Sequence, residues 1–184
     1  MSNSLPSSEE LKELLDLAVD LSRQAGEVHF RRDTGHVDSK STVTDPVSQV
    51  DRDAEQIITA GIGRARPDDG ILGEEGTDTQ GNSGFRWVID PLDGTVNYLY
   101  GFPSYSVSIA VELDGVPIIG VVYDTAHDEM YVAQIGGAAT NNGGYIHVTS
   151  CRDLSTALLG TGFGYDPDVR KQQAVILAEL LPQV

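Results

Sequence analysis

Two helical patterns, then a run of short strands joined by turn signals, then a last helix predict an α+β protein, a layered sandwich with N-terminal helices packed on a largely antiparallel sheet. Three observations carry this. Apolar residues recur at helical spacing from Leu11 to Ala25 and from Val47 to Ile58. Strand-like runs crowd the segment from Ile71 to Val148. Asp114-Gly115 and Asn142-Gly143 mark tight turns between them. The order is not the alternating βαβ of a doubly wound nucleotide fold. Gly160, Gly162 and Gly164 lack the spacing of a dinucleotide fingerprint.

Taken in order, the first helix starts near Ser7, where Ser7-Ser8-Glu9-Glu10 reads as a capping box. Leu11, Leu14, Leu15, Ala18, Leu21 and Ala25 form its stripe, which fades near Arg31-Arg32. After a polar stretch, Asp45-Pro46 is expected to open the second helix, with Asp45 as N-cap. Its stripe is Val47, Val50, Ala54, Ile57 and Ile58. Strands are expected at Ile71–Gly73, Phe85–Ile89, Ser104–Glu112, Val116–Tyr123, Met130–Gln134 and Tyr145–Val148. Asp166-Pro167 opens the final helix, carrying Ala174, Leu177, Leu180 and Leu181. Residues 1–150 are expected to form one domain, and 151–184 the start of a second.

Composition narrows the function. Twenty-eight acidic and 12 basic residues in 184 give a net charge of −16, and no basic patch offsets it, which argues against nucleic acid. The same field repels a phosphate ester unless a bound divalent cation reverses it locally; the alternative is that the charge serves solubility alone. No apolar run approaches the ~20 residues of a membrane span. The first ten residues lack the pattern of a signal peptide, and Cys151 is the single cysteine, so a cytoplasmic setting is the default expectation.

Two segments stand out chemically. At about 100° per residue, Asp51 falls inside the apolar stripe of the second helix. An inward carboxylate needs a partner, whether an ion pair, a helix-to-loop hydrogen bond or a catalytic role. The second segment is Trp87-Val88-Ile89-Asp90-Pro91-Leu92-Asp93-Gly94-Thr95-Val96-Asn97. Its strand delivers Asp90 to an end, Pro91 is expected to stop the ladder, and Gly94 permits close approach of a ligand. Two carboxylates on such a turn can share a hard cation such as Mg²⁺, with the Gly94 and Thr95 amides free for a phosphate oxygen. A plain Asp/Pro/Gly turn is the alternative. Gly73-Glu74-Glu75-Gly76 offers a further carboxylate or a charged turn.

Look-alikes fail. An EF-hand beginning at Asp90 would place Leu92 at a ligand position. A haloacid-dehalogenase phosphatase needs a nucleophilic Asp where Pro91 stands. His29, His36, His127 and His147 lie in no nucleophile setting and are expected at the surface or at caps.

From Lys40 to about Tyr165 the sequence resembles the inositol monophosphatase family. The matching segments are Thr44-Asp45-Pro46-Val47 through Asp51, Gly73-Glu74-Glu75, Asp90 to Asn97, Val107-Ser108-Ile109, Gly120-Val121-Val122-Tyr123 and Gly136 to Gly143. The resemblance implies hydrolysis of a small phosphorylated substrate, inositol 1-phosphate first, with two or three Mg²⁺ as cofactor and sensitivity to lithium. It implies that Glu74, Asp90 and the Leu92 carbonyl hold one ion, that Asp90 and Asp93 hold another, and that a third sits on Glu74. Thr95, backed by Asp51, would orient the attacking water; Gly94 and Thr95 amides would hold phosphate, with Lys40 near the site. A homodimer is also implied. Relatives acting on histidinol phosphate, fructose 1,6-bisphosphate or 3′-phosphoadenosine 5′-phosphate, or a non-catalytic metal-binding fragment, are the alternatives. The family's later Trp-Asp-x-x-Ala-Gly motif, which supplies a further aspartate to the second metal, is not in this sequence. The chain is therefore expected to be a fragment, a cleaved product or one half of a split protein, with an incomplete second metal site and a substrate pocket open on one side.

Overall fold

The computed structural model describes residues 5–31, 37–39 and 46–184. Helix α1 spans Ser8–His29, and the Ser7 side chain accepts from the Glu10 amide at 3.1 Å, as the capping box requires. Strands β1 (Val37–Ser39) and β2 (Pro46–Ser48) form a two-stranded sheet. Helix α2 runs Gln49–Ala65. The expected start at Asp45-Pro46 is therefore corrected: Pro46 stands in a strand, where its fixed φ and missing N–H are tolerated, and Asp45 lies outside the described residues.

Eight strands follow in one mixed sheet: β3 (Gly70–Gly73), β4 (Asp78–Thr79), β5 (Phe85–Asp93), β6 (Ser106–Leu113), β7 (Val116–Asp124), β8 (Glu129–Gln134), β9 (Thr140–Asn141) and β10 (Gly144–Tyr145). Their order is β10-β9-β8-β7-β6-β5-β3-β4. All pairs are antiparallel except β3 with β5. Both expected turns hold, with positive φ at Asp114, Gly115, Asn142 and Gly143, the backbone that Asx-Gly pairs adopt most readily. The expected strand over Tyr145–Val148 shrinks to Gly144–Tyr145. A five-residue helix α3 (Thr95–Leu99) follows β5, and α4 (Pro167–Leu180) is N-capped by Asp166.

Of the described residues, those up to Asp38 and Val47–Ile146 form one compact unit, and His147–Val184 are the body of a second. In the first, Leu14, Ala18, Leu21 and Ala25 of α1 and Ala54, Ile58 and Ile62 of α2 pack on Trp87, Ile89, Val107, Ile109, Val111 and Val121 of the sheet. Trp87 is fully buried, and its indole N–H donates to Asp69 at 2.9 Å, which removes the cost of an unpaired donor. A smaller cluster of Val28, Val50, Leu92 and Tyr98 ties α3 and the end of β5 to both helices.

Candidate functional site

The ends of two parallel strands create the site. Gly73 of β3 lies opposite Ile89 of β5, and the Glu74 amide donates to the Ile89 carbonyl at 3.1 Å. Parallel pairing brings both strands to an end on the same side of the sheet, so Glu74 emerges beside Asp90. Beyond Asp90 the ladder to β6 slips: Asp90 opposes Ser108 and Asp93 opposes Ser106, three residues against two. In a regular strand, residues three apart face opposite sides. The extra residue of this bulge cancels that offset and turns Asp90 and Asp93 to one side. Pro91 therefore does not stop the strand, as the sequence suggested; it sits within the bulge, where a missing N–H costs no ladder bond.

The Asp90 carboxyl feels these neighbours. Burial, a hydrogen bond to the Glu74 side chain and the charges of Glu74 and Asp93 push the Asp90 carboxyl up to about 8, although the Leu92 N–H, 3.2 Å from its Oδ1, works in the other direction. Such a proton belongs to the Asp90–Glu74 pair rather than to one residue. Among the described residues, no three His, Cys, Asp or Glu side chains are gathered into a ready metal chelate. The donor set still suits a hard divalent cation: Asp90 and Glu74 are in contact and the exposed Asp93 is within electrostatic reach. Carboxylates this close need a positive partner, and where a proton can sit a cation can substitute.

On the inner side of the turn, Asp51 in the first turn of α2 is 1% exposed, as its place in the apolar stripe predicts. The structure brings it to Thr95, whose Oγ1 lies 3.1 Å from Asp51 Oδ1 and 3.0 Å from the Leu92 carbonyl oxygen. A hydroxyl has one proton, and both neighbours only accept, so the Thr95 proton is committed to this side and its lone pairs face outward. Gly94 caps α3 with φ of 88°, and a Cβ there would lie 2.7 Å from the Ser104 carbonyl oxygen; both conditions demand glycine. With glycine as cap, α3 receives no side-chain cap hydrogen bond, which leaves its first-turn amides available to an anion. Asp93, Gly94, Asn97 and Ser104 line a crevice of about 240 Å³. Lys40 lies outside the described residues.

Two buried residues were not singled out from the sequence. Glu55, one turn after Asp51, is 7% exposed and accepts from the Glu75 amide at 2.8 Å and from the Thr77 amide and hydroxyl at 3.3 and 2.6 Å. It thereby holds the turn that carries Glu74, so close that a Cβ on Gly73 would lie 2.6 Å from its Oε2. The signal was present: Glu55 occupies the same apolar stripe as Asp51. His29, expected at the surface or at a cap, is instead 1% exposed; the same test on α1 finds it one turn after Ala25. His127 and His147 are exposed, and His36 lies outside the described residues.

Comparison with known proteins follows the same lines. The sequence profile described as the inositol monophosphatase family matches residues 10–184. An inositol-1-monophosphatase of Mycobacterium bovis is 44% identical over 159 residues, which is 82% of this chain and 55% of that protein. A histidinol-phosphatase of Chlorobaculum parvum is 39% identical over 146 residues, 78% of this chain and 56% of that protein. The crystal structure of the extragenic suppressor protein suhB from Bartonella henselae superposes with a TM-score of 0.87 at 33% identity, covering 94% of this chain and 68% of that one. The chain spans little more than half the length of the curated relatives it matches.

Proposed function

The chain belongs to the inositol monophosphatase family, and from that premise we propose that it serves Mg²⁺-dependent hydrolysis of a small phosphomonoester, inositol 1-phosphate first among them. The observation that carries the reading is the meeting of Glu74 and Asp90 at one strand edge, with Asp93 turned to the same side and the Asp51–Thr95 pair directly behind. Glu74, Asp90 and the Leu92 carbonyl would hold one Mg²⁺, Asp90 and Asp93 a second, and Glu74 a third. When bound, the metal supplies positive charge for the ester and lowers the pKa of its water. The residues do the rest. Thr95 accepts a hydrogen bond from the water; as its proton moves onto the Thr95 oxygen, the hydroxyl proton passes to Asp51. The Gly94 and Thr95 amides take phosphate oxygens, with Lys40 adding positive charge nearby.

A bound cation would supply the positive charge that this acidic chain lacks toward an anionic ester. The net charge of −16 disfavours nucleic acid as a partner. A homodimer in the cytoplasm is the expected setting; among the described residues no helix is long and apolar enough to cross a membrane. We read residues from 151 on as the start of a second domain. The 39% identity to a histidinol-phosphatase supports histidinol phosphate as the alternative substrate.

Phosphate release from both esters, with and without Mg²⁺, tests the proposal. Activity should require Mg²⁺ and fall at least ~100-fold in Asp93→Asn. Turnover that persists in a chelator, or an unimpaired Asp93→Asn, rules the mechanism out.

A further inference from the structure

His29 is the last residue of α1, yet its ring engages two segments remote in sequence. Nε2 lies 2.9 Å from the Pro91 carbonyl oxygen and Nδ1 lies 3.0 Å from Thr125 Oγ1. A carbonyl only accepts, so Nε2 carries the proton. Burial lowers the imidazole to about 4 against the opposing Pro91 bond, so the ring is neutral near pH 7 and Nδ1 accepts from the Thr125 hydroxyl. Thr125 is itself 1% exposed, which leaves this tautomer little competition from water. The ring has little freedom to turn. Tyr98 and Tyr105 flank it at centroid distances of 6.0 and 5.9 Å, and the Tyr98 hydroxyl donates to the His29 carbonyl at 2.9 Å.

The Pro91 carbonyl and the Leu92 N–H belong to one rigid peptide plane and point in opposite directions. On one side the carbonyl accepts from His29; on the other, the Leu92 N–H donates to Asp90 Oδ1 at 3.2 Å. We propose that His29 is a positioning residue that aims the Asp90 carboxylate through the Pro91–Leu92 peptide, with the Pro91 carbonyl fixing its tautomer and Thr125 accommodating it. The inference rests on the reading of Asp90 as a Mg²⁺ ligand, and assigns a buried histidine to the support of that ligand. Partners of this kind orient metal ligands, and their loss weakens metal affinity about 10- to 100-fold.

The test combines long-range ¹H–¹⁵N NMR of the imidazole with calorimetric Mg²⁺ titration of the 184-residue chain. At pH 7 the ring should show Nε2 protonated and Nδ1 bare. His29→Phe keeps a ring but has no donor, and should weaken Mg²⁺ binding about 10-fold or more. His29→Gln, whose amide can still reach Pro91, should recover to within about 3-fold of wild type. The tautomer is read on the wild-type chain, which keeps the test decisive if His29→Phe folds poorly. A ring protonated at Nδ1, or wild-type affinity in both His29 variants, overturns the inference alone. A wild-type chain that binds no Mg²⁺ overturns it together with the reading on which it rests.

Discussion

Asp51 and Thr95 show how much one side chain can reveal. A carboxylate on an apolar helical stripe is expensive, and the structure supplies the hydroxyl that offsets the expense, 3.1 Å away. If Asp51 is the final proton acceptor, Asp51→Asn retains an oxygen for Thr95 but cannot take the proton. kcat should fall ~10²- to 10⁴-fold with KM nearly unchanged; steady-state kinetics check this, and a normal kcat would remove Asp51 from the chemistry. Asp51 was legible because helical periodicity alone gives its direction. Glu55 and His29 were equally legible by that rule and were passed over, since neither sits in a recognisable motif. Their partners, the Glu75 and Thr77 amides and the Pro91 carbonyl, come from distant segments that periodicity does not locate.

At the scale of elements, two features convert separate motifs into a site. The parallel pairing of β3 with β5 sets Glu74 beside Asp90, and the bulge turns Asp93 toward it. Neither was readable. Hairpin signals favour antiparallel neighbours, whereas β3 and β5 are joined through β4 and a turn, and a bulge has no single residue signature. Helix α3 was missed because five residues are too few to show a period. The turn from Gly73 to Thr77 depends on Glu55 in particular. Glu55→Ala strands two part-buried amides and should cost about 2–4 kcal/mol in urea denaturation, with a Mg²⁺ requirement raised roughly 10-fold. Unchanged stability would mean that this turn stands without its strut.

For the whole molecule, charge and fold act together. Asp90 has a folded pKa raised to about 8, above its ordinary 3.8, so its contribution to the metal-free fold is full below pH 4 and is lost as the pH rises through 8. His29 is lowered from 6.5 to about 4; its contribution is full above 6.5 and is lost as the pH falls toward 4. The two slopes oppose each other between 4 and 6.5, and only that of Asp90 remains between 6.5 and 8. Metal-free chain should therefore lose stability over that last interval, by at most ~1.4 kcal/mol per pH unit, and saturating Mg²⁺ should flatten the trend. Denaturation midpoints at several pH values measure it; a flat metal-free profile would contradict the assignment.

Mg²⁺ binding followed by calorimetry at pH 7 in buffers of different ionisation enthalpy reaches the central claim most directly. A cation that replaces the proton shared by Asp90 and Glu74 should release close to one proton per first Mg²⁺ bound, and Asp90→Asn should abolish both the binding and the release. Mg²⁺ uptake without proton release, or undiminished uptake in Asp90→Asn, would place the metal elsewhere and contradict the account.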